Sequence, residues 1–268
     1  MQPRNLSSFE QLISTPRLDS YRRYFQLNSS AQAIALTMWN CELGACFGAL
    51  FSFLEIALRN NIHRALSQQY CGGAASGHWY DVISLNARAS EQINEIRCTR
   101  KKIQGNWQWV PRPGRPPTAD EIVSRLSFGF WTNVLGAIHK STAHKVMPVI
   151  FPNHPLSAHP QYWSDAVKKS AALAFIHEIN VMRNRIAHHE PLWKFPAILN
   201  TAVHPAQVLI PASANYAQSI QRLTRLLGLY DQAMAAFDAD LHREAAAHLV
   251  GSAKTEIYSL LRNQCMAQ

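Results

Sequence analysis

Residues Ser30–Tyr70 read SAQAIALTMWNCELGACFGALFSFLEIALRNNIHRALSQQY. The stretch contains no proline and repeats apolar residues at helical spacing. That period predicts one long helix or two nearly continuous ones, with Gly44 and Gly48 as places for a bend. Cys71-Gly72-Gly73 ends it. The most apolar part, residues 43–54, lies between Glu42 and Glu55. It is too short to span a bilayer and reads as a core helix.

Working outward, helical spacing dominates and alternating β patterns are scarce. A second helix is expected over residues 87–103, then a loop rich in proline, glycine and arginine over 105–117. Thr118 and Glu121 have capping-box spacing and start a helix at Ala119. Residues 126–131 lead into another short helix, and 139–160 read as irregular. Ser164 is the expected N-cap of a long helix running to about Glu190, where Pro191 stops it. Residues 195–221 are broken by Pro196, Pro205 and Pro211 and read as a loop. The last helices are expected over 213–238 and 241–263. No repeat, low-complexity tract or composition shift divides the chain, so residues 1–268 are expected to be one domain. Helices with one apolar stripe bury it against each other, which predicts an all-α antiparallel bundle.

The chain has 268 residues, 47% of them hydrophobic and 16% charged, which is ample for a core. Lys plus Arg number 26 against 17 Asp plus Glu, a net charge of +9 that favours nucleic acid or an anionic surface. Residues 1–8 lack an apolar signal core, and no membrane association is expected. The five cysteines, Cys41, Cys46, Cys71, Cys98 and Cys265, form no CxxC pair. They point to a reducing cytoplasm rather than a disulfide scaffold or zinc ribbon.

The chemically informative segment is Met182-Arg183-Asn184-Arg185-Ile186-Ala187-His188-His189-Glu190-Pro191-Leu192-Trp193. At about 100° per residue, Val167, Ala171, Phe175, Ile179, Met182 and Ile186 form one apolar stripe. Arg183, Asn184, Ala187 and His188 fall on the far side. His177, Asn184 and His188 line one ridge, which faces solvent or a partner. A histidine at a helix end commonly caps the last carbonyls, and exposed arginines are commonly just solvated.

Arg183-Asn184-x-x-x-His188 resembles the R-x4-6-H motif of HEPN ribonucleases. The longer string Arg-Asn-x-x-Ala-His-His-x-x-Leu-Trp is similar to the Abi-like family of bacterial abortive-infection proteins. Pro16-Arg17-Leu18-x-x-Tyr21, Trp39-Asn40, residues 54–63 and Leu126-Ser127-Phe128-Gly129-Phe130-Trp131 match further motifs of that family, in order. The resemblance spans about residues 10–195, and residues 196–268 carry little of it.

The resemblance implies a HEPN-like bundle with additional N- and C-terminal helices. It also implies metal-independent RNA cleavage by a homodimer whose two motifs face each other, in antiviral defence or as a growth-arresting toxin, for which a protein or RNA antitoxin is a candidate partner. The residues suit that chemistry. Attack of the RNA 2′-hydroxyl on its neighbouring phosphate needs a proton acceptor and a donor, and histidine can be either. Arg183 can hold phosphate oxygens bidentately and stabilise the transition state. Asn184, one turn before His188, can orient the imidazole or contact phosphate. His189 is a supporting candidate.

Glu55, Arg59 and His63 stack at i, i+4 and i+8, and Arg59-Asn60-x-x-His63 imitates the first motif but is one residue short. The cluster reads either as a structural ion pair beside the core or as an in-chain addition to the RNA site. Glu178 lies near the apolar stripe, with Arg59 as one possible partner. Residues 96–119 hold Arg97, Arg100, Lys101, Lys102, Arg112 and Arg115 around Trp107 and Trp109, with no acidic residue. That composition suits single-stranded nucleic acid, or a solvated loop whose tryptophans pack on the bundle. No metal or other cofactor is expected: there is no H-E-x-x-H, and His177 and His188 are roughly 16 Å apart by helical rise. Two other functions remain compatible with the residues. One is a non-catalytic HEPN-like RNA-binding or protein-interaction module. The other is a scaffold in which Arg183 and His188 hold a dimer.

Overall fold

The structure, a computed structural model, describes residues 6–200, 207–238, 243 and 249–259. In chain order the elements are α1 (Leu6–Ile13), α2 (Thr15–Phe25), α3 (Ser30–Tyr70) and α4 (Ala87–Arg97), then β1 (Cys98–Ile103) and β2 (Asn106–Pro111). Then come α5 (Ala119–Arg125), α6 (Phe128–Ala137), α7 (Lys140–Ile150), α8 (Ala166–Ala187), β3 (Ile198–Asn200), β4 (Gln207–Ile210) and α9 (Tyr216–Phe237). Residues 249–259 are helical. The protein is therefore mostly α, with two small antiparallel strand pairs. Of the expected helix over 241–263, residues 241–242, 244–248 and 260–263 lie outside the described residues, as does Cys265.

The long helix α3 runs unbroken through Gly44 and Gly48, so neither interrupts it. Leu36, Trp39, Leu43, Phe47, Leu50, Leu54, Leu58 and Ile62 recur three or four apart and are all buried. Gly72, at φ +66°, closes the helix in the left-handed conformation, with the Gly73 N–H reaching the Gln68 carbonyl at 3.2 Å. By length and composition alone α3 could cross a membrane, so the short count made on residues 43–54 understated it.

Five expectations need correction. The second helix stops at Arg97, and the residues read as its end and as a loop form the β1–β2 hairpin. Gln104 (φ +49°) and Gly105 (φ +86°) make a two-residue turn with both φ positive, which suits the twist of a hairpin. Thr99, Ile103, Trp107, Trp109 and Val110 supply the strand preference that overrides helical continuation. Residues 140–150, read as irregular, form α7, whose Ala143, Val146, Met147 and Ile150 bury one face. The N-cap of α8 is Asp165, which accepts from Val167 N at 2.9 Å and Lys168 N at 3.1 Å, and not Ser164. The apolar stripe of α8 starts late: Phe175, Ile176, Ile179 and Met182 are buried, whereas Val167 is 78% exposed and Ala171 is exposed. Within the stretch read as a proline-broken loop, β3 and β4 pair.

The chain divides into two compact units: Met1–Phe51, Val181–Asp231 and His242–Gln268; and Ser52–Asn180 with Gln232–Leu241. Three of the divisions fall inside α3, α8 and α9, where no linker composition marks them. The first unit buries Leu18, Tyr21, Leu43, Phe47, Trp193, Leu223 and Tyr230. The second buries Leu58, Trp79, Phe128, Phe130, Trp131 and Trp163, and Phe151 stacks on Phe237 at 5.2 Å between ring centroids.

Candidate active site

In the first unit α8 ends at Ala187 rather than near Glu190, and the chain turns at His189, which has φ +54°. Two hydrogen bonds close the helix: Glu190 N–H to the Arg185 carbonyl at 2.9 Å and His189 N–H to the Ile186 carbonyl at 3.0 Å. This is the Schellman closure, with a histidine at the left-handed position where glycine is usual. The apolar contact that commonly accompanies it is replaced by an ion pair, Arg185 Nε to Glu190 Oε2 at 3.2 Å. Arg185 also donates to the Pro191 carbonyl, and burial pushes its pKa down against the opposing effect of Glu190.

Three separated sequence motifs meet at this turn. From α2, Arg17 donates to the His189 carbonyl. From α3, the buried Asn40 amide accepts from Leu192 N at 2.7 Å and donates from Nδ2 to the Glu190 carbonyl at 3.4 Å. Trp193 is fully buried, with the rings of Tyr21, Tyr24 and Phe25 at 5.0, 4.4 and 5.0 Å. Its carbonyl accepts from Ser219 Oγ at 2.7 Å. The backbone from 188 to 193 is thus fixed on several sides.

What this platform carries outward is polar. Asn184, His188, His189 and Glu190 are exposed and Arg183 is half-buried. The His188 N–H is held by the Asn184 carbonyl at 2.9 Å, which places the two side chains at the last turn of α8. An open cleft of about 380 Å³ adjoins the turn, lined by Ser20, Arg23, Tyr24, Gln26, Trp193, Lys194 and Ala214. The sequence reading missed its cations, Arg23 and Lys194. Lys194 directly follows the motif's tryptophan, and that was the only signal for it.

The remaining candidates lie in the second unit. His177 is exposed and Glu178 half-buried on α8. Arg59 donates to its neighbour Asn60 at 3.4 Å. Asn60 is exposed and Glu55 half-buried. His63 is buried, 6% exposed, and both ring nitrogens are engaged. Trp79 Nε1–H donates to Nδ1 at 2.9 Å, so the proton of the neutral ring sits on Nε2. That nitrogen faces Ser76 Oγ at 3.1 Å and Asp120 Oδ1 at 3.3 Å. Burial lowers the His63 pKa, with Asp120 opposing.

The basic segment separates by role. Arg97 pairs with both Asp81 oxygens at 2.6 and 2.8 Å, Arg112 donates to the Glu95 carbonyl at 2.8 Å, and Arg115 pairs with Glu121 at 2.7 Å. Arg100, Lys101, Lys102, Trp107 and Trp109 are on the hairpin strands.

Among the described residues no group of three or more His, Cys, Asp or Glu is placed to hold a metal ion. The family model described as Abi-like protein matches residues 6–194, a span that contains every residue converging on the 188–193 turn from α2, α3 and α8. No curated protein and no solved structure matches the chain.

Proposed function

The chain belongs to the Abi-like protein family, and we propose that it is a metal-independent endoribonuclease of HEPN type, acting in abortive-infection defence or as a toxin. The observation that carries this reading is the end of α8: Asn184 and His188 are exposed beside Arg183, on a backbone turn pinned by Arg17, Asn40 and the Arg185–Glu190 pair. Reactive groups on a rigid support are what acid–base chemistry at one phosphate requires.

In the proposed reaction the 2′-oxygen forms a bond to phosphorus and the bond from phosphorus to the 5′-oxygen breaks. The proton leaving the 2′-hydroxyl goes to a base, and another is delivered to the departing 5′-oxygen. His188 serves one of these transfers, and His188 of a second copy in a homodimer serves the other. Arg183 neutralises the phosphate oxygens as charge builds on them. Asn184 positions the imidazole or the phosphate. The protein works on cytoplasmic RNA, and in the toxin reading its candidate partner is an antitoxin.

The test is cleavage of RNA in EDTA by wild type, His188→Ala and Arg183→Ala, with product ends mapped. Wild type is expected to leave 2′,3′-cyclic phosphate, and both variants to lose cleavage while keeping their helical circular dichroism. Cleavage by His188→Ala at the wild-type rate overturns the assignment.

A further inference from the structure

The β1–β2 hairpin sorts its side chains by face. The register pairs Arg100 with Trp109 and Lys102 with Trp107, so these four share one face, while Thr99, Lys101, Ile103, Asn106, Gln108 and Val110 take the other. On the first face Trp107 is 64% exposed, Lys102 is exposed, and the Arg100 guanidinium lies 5.2 Å from the Trp109 ring centroid. A tryptophan left that open costs solvation unless something covers it. The root of the hairpin is secured: Arg97 pairs with Asp81, and Arg112 returns its backbone N–H to the Arg97 carbonyl at 3.1 Å and its guanidinium to the Glu95 carbonyl. The root cations therefore hold the arm, and the outer cations are the ones it presents.

From this sorting we propose that the hairpin is a single-strand binding arm: unpaired bases stack on Trp107 and Trp109 while Arg100 and Lys102 hold the flanking phosphates. Ring faces take any base and cations track the backbone, so the arm binds without sequence preference and weakens with salt. A duplex hides its bases and offers the rings nothing. The choice of RNA as the natural occupant rests on the ribonuclease reading above; the arm itself grips single-stranded DNA of equal length as well.

The experiment measures binding of a labelled, unstructured 20-nucleotide RNA by anisotropy, all in a His188→Ala background so that cleavage cannot intervene. Lys101 and Lys102 carry the same charge on opposite faces, which separates this site from a diffuse basic surface. Trp107→Ala and Lys102→Gln are each expected to weaken binding about tenfold, and Lys101→Gln by less than about twofold. Equal loss for the two lysines, or no effect of Trp107→Ala with circular dichroism unchanged, overturns the arm. So does preference for duplex, or binding to anionic vesicles in place of RNA. Wild-type cleavage is scored separately. Cleavage that survives the hairpin variants with binding unaltered discards the arm and leaves the ribonuclease. Binding without wild-type cleavage does the reverse.

Discussion

The indole N–H of Trp79 donates to Nδ1 of His63, and both side chains are buried. A second proton on that ring would point Nδ1–H at the indole N–H, so the fold selects neutral histidine. Folded His63 therefore titrates below its ordinary value of 6.5, burial being the main cause. The sign follows: as pH falls below about 6.5 the unfolded chain takes up the proton first, so stability present at neutral pH declines until the lowered folded value is passed. Urea unfolding at successive pH values is expected to show this loss. His63→Asn, which keeps an acceptor for Trp79 but cannot charge, should flatten it. His154, whose pKa burial also lowers, leaves a residual slope. An unchanged slope in His63→Asn would show that the Trp79 bond does not govern this titration.

Asn40 is the joint between α3 and the site turn. It is 5% exposed, and Leu192 N–H has its amide oxygen as partner at 2.7 Å. Asn40→Ala leaves that buried N–H unpaired, at a cost of about 1–3 kcal/mol. Thermal unfolding should register the loss. RNA cleavage assayed well below the midpoint should fall too, because the turn that carries His188 loses one of its ties. A variant as stable as wild type would mean the turn is held without Asn40.

The helical periodicity of residues 30–70 and the Thr118–Glu121 capping box were legible because each is a local device, decided within one or two turns of chain. The hairpin was not, since Gln104-Gly105 is a weaker turn signal than Asn-Gly, and its strands are too exposed to show clean alternation. Arg183, Asn184 and His188 were singled out by resemblance, and Arg17, Asn40 and Trp193 stood in the same set of motifs, but their meeting at one turn was not legible. Arg17, Asn40 and Trp193 lie up to 172 residues from the carbonyls and rings they meet, and only tertiary packing brings them together. For His63 the spacing left a structural and a functional reading open, because it cannot reveal that Trp79 and Asp120 face its ring nitrogens.

Two glycines should respond to alanine with opposite signs. A Cβ on Gly44 would stand 3.6 Å from Leu192 Cδ1, an ordinary contact inside a helix. Gly44→Ala is expected to stabilise by about 0.5–1 kcal/mol, the usual gain from removing glycine from a helix interior. A Cβ on Gly77 would stand 2.7 Å from both Cβ and Sγ of Cys71, closer than side chains approach. Gly77→Ala must displace the loop that carries the Ser67 Oγ bond at 3.0 Å, and should destabilise by about 1–3 kcal/mol. Melting temperatures of the two variants that move in the same direction would contradict this packing.

The adjacent histidines of the motif have different tasks, and one substitution can separate them. His189 occupies the left-handed position of the helix closure, where an L side chain is strained and glycine is not. Its carbonyl, not its ring, meets Arg17. His189→Gly preserves every backbone bond of the turn and should raise stability by about 0.5–1 kcal/mol. If the imidazole of His188 alone moves protons, that variant keeps cleaving RNA while His188→Ala does not. A more stable His189→Gly protein that has lost cleavage would instead place the His189 ring in the chemistry. The strained backbone would then be the cost of aiming two imidazoles from one helix end.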